Sequence, residues 1–502
     1  MKLTGKAKEA FDILSAANRD AYKDVFLLSN QVLGKNIFNN DFFISYLNND
    51  NPKEPRFFKI IYKLLIYYFK SLMHFIAYLM KFIEYDLSGL RFHFGQNSRE
   101  LILIDTFFIT DKIKEAGEYR DPFFPGLEDL LKKKNKHYAY LPLFYNASSP
   151  LKPIGVLNIL KKEQVPVLCE YRILSIADIL SILRFIVSYP FHVYKFAGRL
   201  DKNNYGNRLL AGELMDTIDH VTFYSFSRYL QGKRIAALKY ERITLISWFE
   251  NQTIDKNLYK GLRSYEGKVK IYGAQTLLYS KNMLNVTADD NEKEFGTLPD
   301  KIIVSGSFYI PEGSTLNYSL GPSMRYAKVF TDFSGNELRK NILVLLPMMS
   351  NDIKNILKIL KEIDMSERDM ILKAHPATRI EDYMETLPEN IKITEENIYE
   401  LLKKTLIVVS AASGSLIEAA SIGIPAIVVK GKDTIDLNPL PEYGKGIIWD
   451  EADTPESLLQ LINKFTRSLK DNSKEIAVFA AEYKRMFFTE PTEEIAINAF
   501  GL

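Results

Sequence analysis

The chain has 502 residues, 47% of them apolar and 25% charged, the balance of a folded protein of two or three domains rather than a disordered one. Its 65 Lys and Arg against 62 Asp and Glu leave +3, so no global field favours nucleic acid. The single cysteine, Cys169, excludes a disulfide framework and a Cys-rich metal site, and no two of the six histidines have the spacing of a helical metal pair.

The first ten residues carry charges throughout and no apolar core of leader length, which predicts a cytoplasmic protein. Phe57 to Leu87 is the most apolar stretch. Its longest charge-free run, Ser71 to Met80, falls short of the roughly 18 residues of a spanning helix. At about 100° per residue, Arg56, Lys59, Lys63, Lys70 and Lys81 fall on one narrow stripe. That pattern suits either a core helix with one wet edge or a helix lying in the membrane interface, lysines toward anionic headgroups. The second reading makes the protein peripheral on the inner face of the membrane, in contact through residues 57–87. A second apolar helix, Ile176 to Phe196, packs against the first or shares its role, and Pro190 is expected to kink or end it.

Leu101 to Phe107, His137 to Phe144, Ile243 to Phe249, Val269 to Gly273 and Lys301 to Ser305 read as parallel-type strands. In the last third, short apolar runs at Asn341 to Pro347, Met370 to Ala374, Ile391 to Thr394, Thr405 to Ala411, Pro425 to Lys430 and Gly446 to Trp449 alternate with amphipathic helices. That alternation predicts an α/β fold with doubly wound parallel sheets. The expected organisation is a Rossmann-like half over 1–330, with helical insertions at 57–87 and 160–232, and a second over 331–502.

Ligands of such sheets bind beyond the carboxyl ends of the strands, and two motifs fall there. In Lys373-Ala374-His375-Pro376 the proline stops a strand and leaves His375 at the rim, where an imidazole can donate to a phosphate or a ribose hydroxyl. In Ser410-Ala411-Ala412-Ser413-Gly414-Ser415-Leu416-Ile417-Glu418 a strand passes through small hydroxylated residues and a glycine into a helix, a means of holding phosphate without metal. In the first half Glu250, in Ser247-Trp248-Phe249-Glu250-Asn251-Gln252, follows a strand and is the first candidate for a catalytic base. Asp105 and Asp121 are its rivals, and Arg263 and Gln275 are candidates for binding an acceptor or a donor carboxylate.

The His-Pro pair followed by S-x-x-S-G-S-x-x-E-A-A-x-x-G-x-P resembles the donor half of GT-B glycosyltransferases, closest in style to bacterial enzymes using CMP-activated sialic acid or Kdo. The Ser-Gly-Ser stretch is also similar to lipid A disaccharide synthase, and the stretch around SWFENQ to bacterial surface-carbohydrate biosynthesis proteins. The resemblance covers about residues 340 to 470 and implies a GT-B-like pair of Rossmann-like domains facing a cleft, with helical additions in the N-terminal half. It places the donor phosphate or ribose on His375, phosphate on Ser413, Gly414 and Ser415, and ribose or base near Glu418. Lys373, Pro376 and Ser410 complete the implied nucleotide site. The Glu-x7-Glu of many retaining members is missing, since Ala426 stands eight after Glu418, and no apolar-flanked Asp-x-Asp is present for a metal. The resulting expectation is a metal-independent glycosyltransferase with no cofactor beyond its nucleotide-sugar co-substrate. CMP-linked nonulosonate is placed ahead of UDP- or dTDP-sugars, and the acceptor is a lipopolysaccharide, capsule or related glycan or glycolipid. The alternatives are a nucleotide-sugar 2-epimerase of the same fold, which needs a phosphate-cleft strand near residue 1, and a non-catalytic carbohydrate-assembly scaffold.

Overall fold

The computed structural model describes residues 3, 5–38, 41–52, 57–92, 94, 99–145, 152–265, 267–331, 333, 339–363, 368–376, 378–388, 391–431 and 435–502. Arg56 of the basic stripe and part of the expected joint at 325–340 lie outside them.

Twelve strands among the described residues form two six-stranded, wholly parallel sheets. The first contains β1 (Glu100–Ile109), β2 (Tyr138–Tyr145), β3 (Arg242–Trp248), β4 (Val269–Gln275), β5 (Lys301–Val304) and β6 (Tyr318–Leu320), in the order β2-β1-β3-β4-β5-β6. The second contains β7 (Asn341–Leu346), β8 (Met370–Ala374), β9 (Ile391–Ile393), β10 (Thr405–Ser410), β11 (Ala426–Val429) and β12 (Trp449–Ala452), in the order β12-β11-β10-β7-β8-β9. Continuous apolar strands such as NILVLL are buried along their whole length because helices cover both faces. These are two Rossmann-like domains in a GT-B-like α/β arrangement. Strand order reverses once in each sheet, between β1 and β3 and between β7 and β10. At such a switch point the chains leaving adjacent strands diverge and open a crevice. Two details differ from the sequence reading: β12 begins at Trp449 rather than ending there, and the three-residue β6 is too short to give a pattern.

The chain crosses between the halves twice. Ser323 N donates to Thr489 O at 2.9 Å and Thr489 N to Ser323 Oγ at 3.0 Å, so the two crossings run side by side. Beyond the Ser473–Phe487 helix, the last helix, Glu493–Phe500, returns to the first half. There Phe500 meets Phe124 edge-on at 6.3 Å and Glu493 pairs with Lys133 at 2.7 Å. The unit expected over 331–502 thus ends packed on the first half.

The helical additions have a core of their own, in which Phe185 stacks on both Tyr189 and Phe226 at 4.9 and 4.6 Å. This layer is joined to the first sheet where the Phe223–Ala236 and Thr253–Leu262 helices touch at Gly232 and Gly261. A Cβ on either glycine would overlap the other helix's backbone. The Ile176–Ala197 helix does not end at Pro190. Proline has no N–H for the carbonyl of Ile186, and the Tyr67 hydroxyl of the Phe57–Ser88 helix donates to that carbonyl instead, at 3.1 Å.

The basic stripe of the Phe57–Ser88 helix is not its outermost face. Lys63 and Lys59 pair with Asp216 at 2.6 and 3.3 Å, and Lys81 lies over the Tyr224 ring at 5.7 Å, its pKa lowered by burial. The lysines form a flank beside buried Tyr67, Phe75 and Tyr78, and the opposite, solvent-facing side is apolar. A core helix with one wet edge does not describe it.

Candidate functional site

At the end of β8 the chain reverses through His375 and Pro376. His375 N donates to Leu346 O at 3.0 Å and Thr378 N to His375 O at 2.8 Å, which ties this turn to the end of β7. The imidazole is exposed to the cleft, and surrounding protein together with the Arg325 charge lowers its pKa. At the end of β10 the chain turns through 411–414 into the Ser415–Ser421 helix. Ser415 N donates to Ser413 Oγ at 3.3 Å, and Ser415 Oγ donates to Glu418 Oε1 at 3.1 Å. Glu418 is 6% exposed; burial raises its pKa, opposed by the Tyr399 hydroxyl and the Arg325 charge.

A cavity of about 150 Å³ lies at the β7/β10 switch point. His375, Ser413 and Gly414 line it from the second half, with Leu278, Tyr279 and Ser280 from the first. An adjoining hollow of about 190 Å³ shares Ala412 and Leu437 and runs past the ends of β10 and β11. Gly414 has a role other than ligand approach: a Cβ there would stand 2.9 Å from Leu278 Cβ, so the glycine lets the two halves close. Ser410 is not a ligand-facing group, because it is buried and donates to Leu345 O at 2.8 Å, locking β10 to β7. Lys373 is half-buried on β8 and Pro376 is exposed beside His375; neither lines the cavity.

Across the cleft, Glu250 leaves the end of β3 at the other switch point. It is half-buried, and it accepts from Trp248 Nε1 at 2.9 Å and Gln252 Nε2 at 2.6 Å. It pairs with neither Arg263 nor Lys256. The following residue, Asn251, has a φ of 56°, a conformation asparagine tolerates well. Its amide donates to Asn285 O at 2.8 Å and Glu292 Oε2 at 3.0 Å, and its carbonyl accepts from Lys256. Lys256 and Lys35, both fully buried, share the Glu292 carboxylate at 3.2 and 2.9 Å. The SWFENQ segment thus holds Glu250 on a loop fixed from beneath by buried charge.

The rival bases are buried. Asp105 is fully buried and accepts from Arg228 Nη2 at 2.5 Å and Ser247 Oγ at 2.9 Å. Asp121 is buried and accepts the N–H groups of Phe123 and Phe124 at 2.8 and 3.1 Å, with its pKa pushed up to about 6 by burial. Arg263 lies at the far edge of the sheet, because the Thr253–Leu262 helix runs back from the end of β3 and leaves it paired with Asp300 at 2.9 Å. Gln275 is buried and donates to Val286 O at 2.8 Å, which holds the loop after β4.

Asp255 accepts the N–H groups of Glu250 and Gln252 at 3.2 and 2.9 Å, and burial with the nearby Asp105 charge pushes its pKa up to about 7. An unfolded Asp titrates near 3.9, so the folded state binds this proton more tightly. The resulting stabilisation is complete below about pH 4 and is lost as pH rises through about 7. Melting curves between pH 5 and 8 are expected to show a falling Tm, and Asp255→Asn a shallower fall; equal slopes would place the titration elsewhere.

One group at the site escaped the sequence reading. Arg325, in the joint between the halves, places its guanidinium 5.3 Å from the Phe123 ring centre, 5.7 Å from Trp248 and 5.8 Å from Tyr326. Its charge acts on His375 and Glu418, so it stands between the Glu250 loop and the Ser-Gly-Ser turn. Its one sequence signal is position, a lone arginine in the joint GPSMRYAKVF. A cavity of about 920 Å³ between the Gly5–Ala21 and Ile176–Ala197 helices contains none of these residues. In it Lys23 pairs with Asp20 at 2.7 Å, and His192 Nδ1 lies 2.5 Å from Asp24 Oδ2.

No protein-family model matches the chain, and no curated protein matches it significantly. Among solved structures it is similar to the S. aureus MnaA–UDP complex, at 12% identity over 80% of this chain and 94% of that one, with a TM-score of 0.43. It is similar to Acinetobacter baumannii MurG at 12% identity over 80% and 99%, with a TM-score of 0.40. A third is Neisseria meningitidis UDP-GlcNAc 2-epimerase bound to UDP-GlcNAc, at 11% identity over 80% and 98%, with a TM-score of 0.42.

Proposed function

We propose that the protein is a GT-B-type glycosyltransferase, with nucleotide on the second half, acceptor on the first, and CMP-linked nonulosonate as the first donor class to test. The observation that supports this most is the position of Arg325. Its guanidinium lies 5.7 Å from the ring of Trp248, whose indole donates to Glu250, and its charge acts on His375 and on Glu418 beside the Ser413–Ser415 turn. In this reading Glu250 removes the proton of an acceptor hydroxyl as its oxygen attacks the anomeric carbon. The bond to the leaving phosphate breaks with inversion, and His375 and Arg325 take up the charge that develops there. The acceptor is a surface glycan or glycolipid. The 2-epimerase reading asks for a phosphate-cleft strand near residue 1. The described chain has the Gly5–Ala21 helix there, and its first described strand starts at Glu100.

The test is a thermal-shift panel of CMP, UDP, GDP and dTDP followed by calorimetry. A nucleotide at about 100 times its Kd adds about 2.7 kcal/mol of stability. One nucleotide is expected to raise Tm, and His375→Ala to weaken its binding at least about tenfold, the loss of one charge-assisted contact, with the ligand-free Tm unchanged. Absence of any shift, or an unchanged affinity in the variant, would reject the site. Incubation with nucleotide sugars then separates transfer or slow donor hydrolysis from isomerisation of UDP-GlcNAc.

A further inference from the structure

Of the 24 large apolar side chains exposed among the described residues, eleven stand on the Phe57–Ser88 helix and five on the Ile176–Ala197 helix. On the first, Leu65, Phe69, Leu72, Ile76 and Ile83 share a face about 60° wide, opposite buried Tyr67, Phe75 and Tyr78. On the second, Ile176, Leu180, Leu183, Val187 and Phe191 recur every three or four residues. The faces join where the Tyr68 hydroxyl donates to Val187 O at 3.0 Å. Such an area exceeds the few hundred Å² of apolar patch that a soluble monomer ordinarily shows.

By length and composition both helices are long and apolar enough to cross a membrane, the first in spite of its short charge-free run, yet only 17% of the most apolar window of the first is buried, so it is not a core helix. Nor is it free to cross. Its inner face is bonded at Tyr67 to Ile186 O, at Ser71 to His220 O and at Tyr78 to Glu170, so it lies flat against the protein. The charge around the face has one prevailing sign. No acidic residue occurs from 57 to 83, and Lys59, Lys70, Arg184 and Lys195 are exposed along the flanks. Asp216 answers Lys59 and Lys63 at one edge.

We propose that this two-helix face docks on an anionic lipid bilayer and lies in its headgroup interface without spanning it. Apolar side chains outermost with cations at the rim is the order an interfacial helix needs, acyl chains below and phosphates alongside. A two-fold contact between copies of this chain buries the same apolar area but brings like-charged flanks together. The docking is independent of the sugar-transfer reading, and nucleotide binding serves as its control.

The full chain is floated with vesicles of phosphatidylglycerol and phosphatidylethanolamine, or of phosphatidylcholine alone. The wild type is expected to bind the anionic vesicles, and the Leu72→Glu/Ile76→Glu and Leu183→Glu/Val187→Glu variants to bind at least about tenfold less with unchanged Tm and nucleotide affinity. These side chains are already exposed, so their exchange leaves the folded core intact. Cys169 is buried, so a cysteine introduced by Leu72→Cys can be labelled alone with an environment-sensitive dye. That dye should shift to the blue on anionic vesicles, and the same label at Val478→Cys should not. Absence of wild-type flotation, equal flotation of the Glu variants, or an equal dye shift at both positions would overturn the proposal. A dimer that Leu72→Glu dissolves, with no flotation of the wild type, would give the face to a second copy.

Discussion

Glu250→Gln is expected to leave nucleotide affinity unchanged and to lower kcat for sugar transfer by about 10²–10⁴-fold, the span of a lost general base. The side chains have the same shape, and the Trp248 indole N–H that donates to Glu250 at 2.9 Å still finds an oxygen acceptor in the amide. The variant lacks the carboxylate that takes the acceptor proton. The measurement is kcat with the donor identified by thermal shift, alongside the nucleotide Kd. A variant within about threefold of wild type, less than about 1 kcal/mol of barrier, would move the base to another residue.

Arg228→Met is expected to destabilise the fold by about 3–5 kcal/mol, because it leaves the carboxylate of Asp105 buried without its cation. The pair is 2.5 Å long with side-chain exposures of 4% and 0%, and Arg228 also donates to Gln231 Oε1 at 2.5 Å. It joins the Phe223–Ala236 helix to β1, so it fastens the helical layer onto the first sheet. Urea denaturation reads the loss. The double variant Asp105→Leu/Arg228→Met should recover most of it, since two apolar side chains in place of a buried ion pair are often neutral or stabilising. If the double variant were as unstable as the single one, shape rather than unpaired charge would explain the loss.

The doubly wound architecture was legible because parallel strands buried on both faces appear as unbroken apolar runs, as NILVLL and TLIVVS do, between helices of clear period. Strand order was not legible, because it depends on which runs pair, and order is what sets the switch points. His375 and the Ser413–Ser415 turn could be found from the ends of such runs. Ser410 stands short of the turn, still inside β10, where its hydroxyl serves the sheet. Arg263 lies away from the cleft because ten residues of helix carry the chain back across the sheet. The buried partners of Lys256 come from Glu292 and from the neighbourhood of Lys35, too far along the chain for spacing to reveal. For the Phe57–Ser88 helix the period gave the basic stripe correctly but not the direction it faces. Tyr67 and Tyr78 are buried while Tyr62 and Phe69 are exposed, and aromatic composition does not distinguish the two sides.

The paired crossings at Ser323 and Thr489 bear on how the cleft can open. A chain that passed once between the halves would let them twist, slide and separate like beads on a thread. Two strands of chain fastened together act as the pin of a door and leave one swing as the easy movement. Arg325 stands two residues from that pin. A guanidinium close to the axis sweeps only a short arc, so it stays near Trp248 at every angle, while the turns at His375 and Ser413 travel farther. The charge that would meet a leaving phosphate is thus the part of the site that moves least.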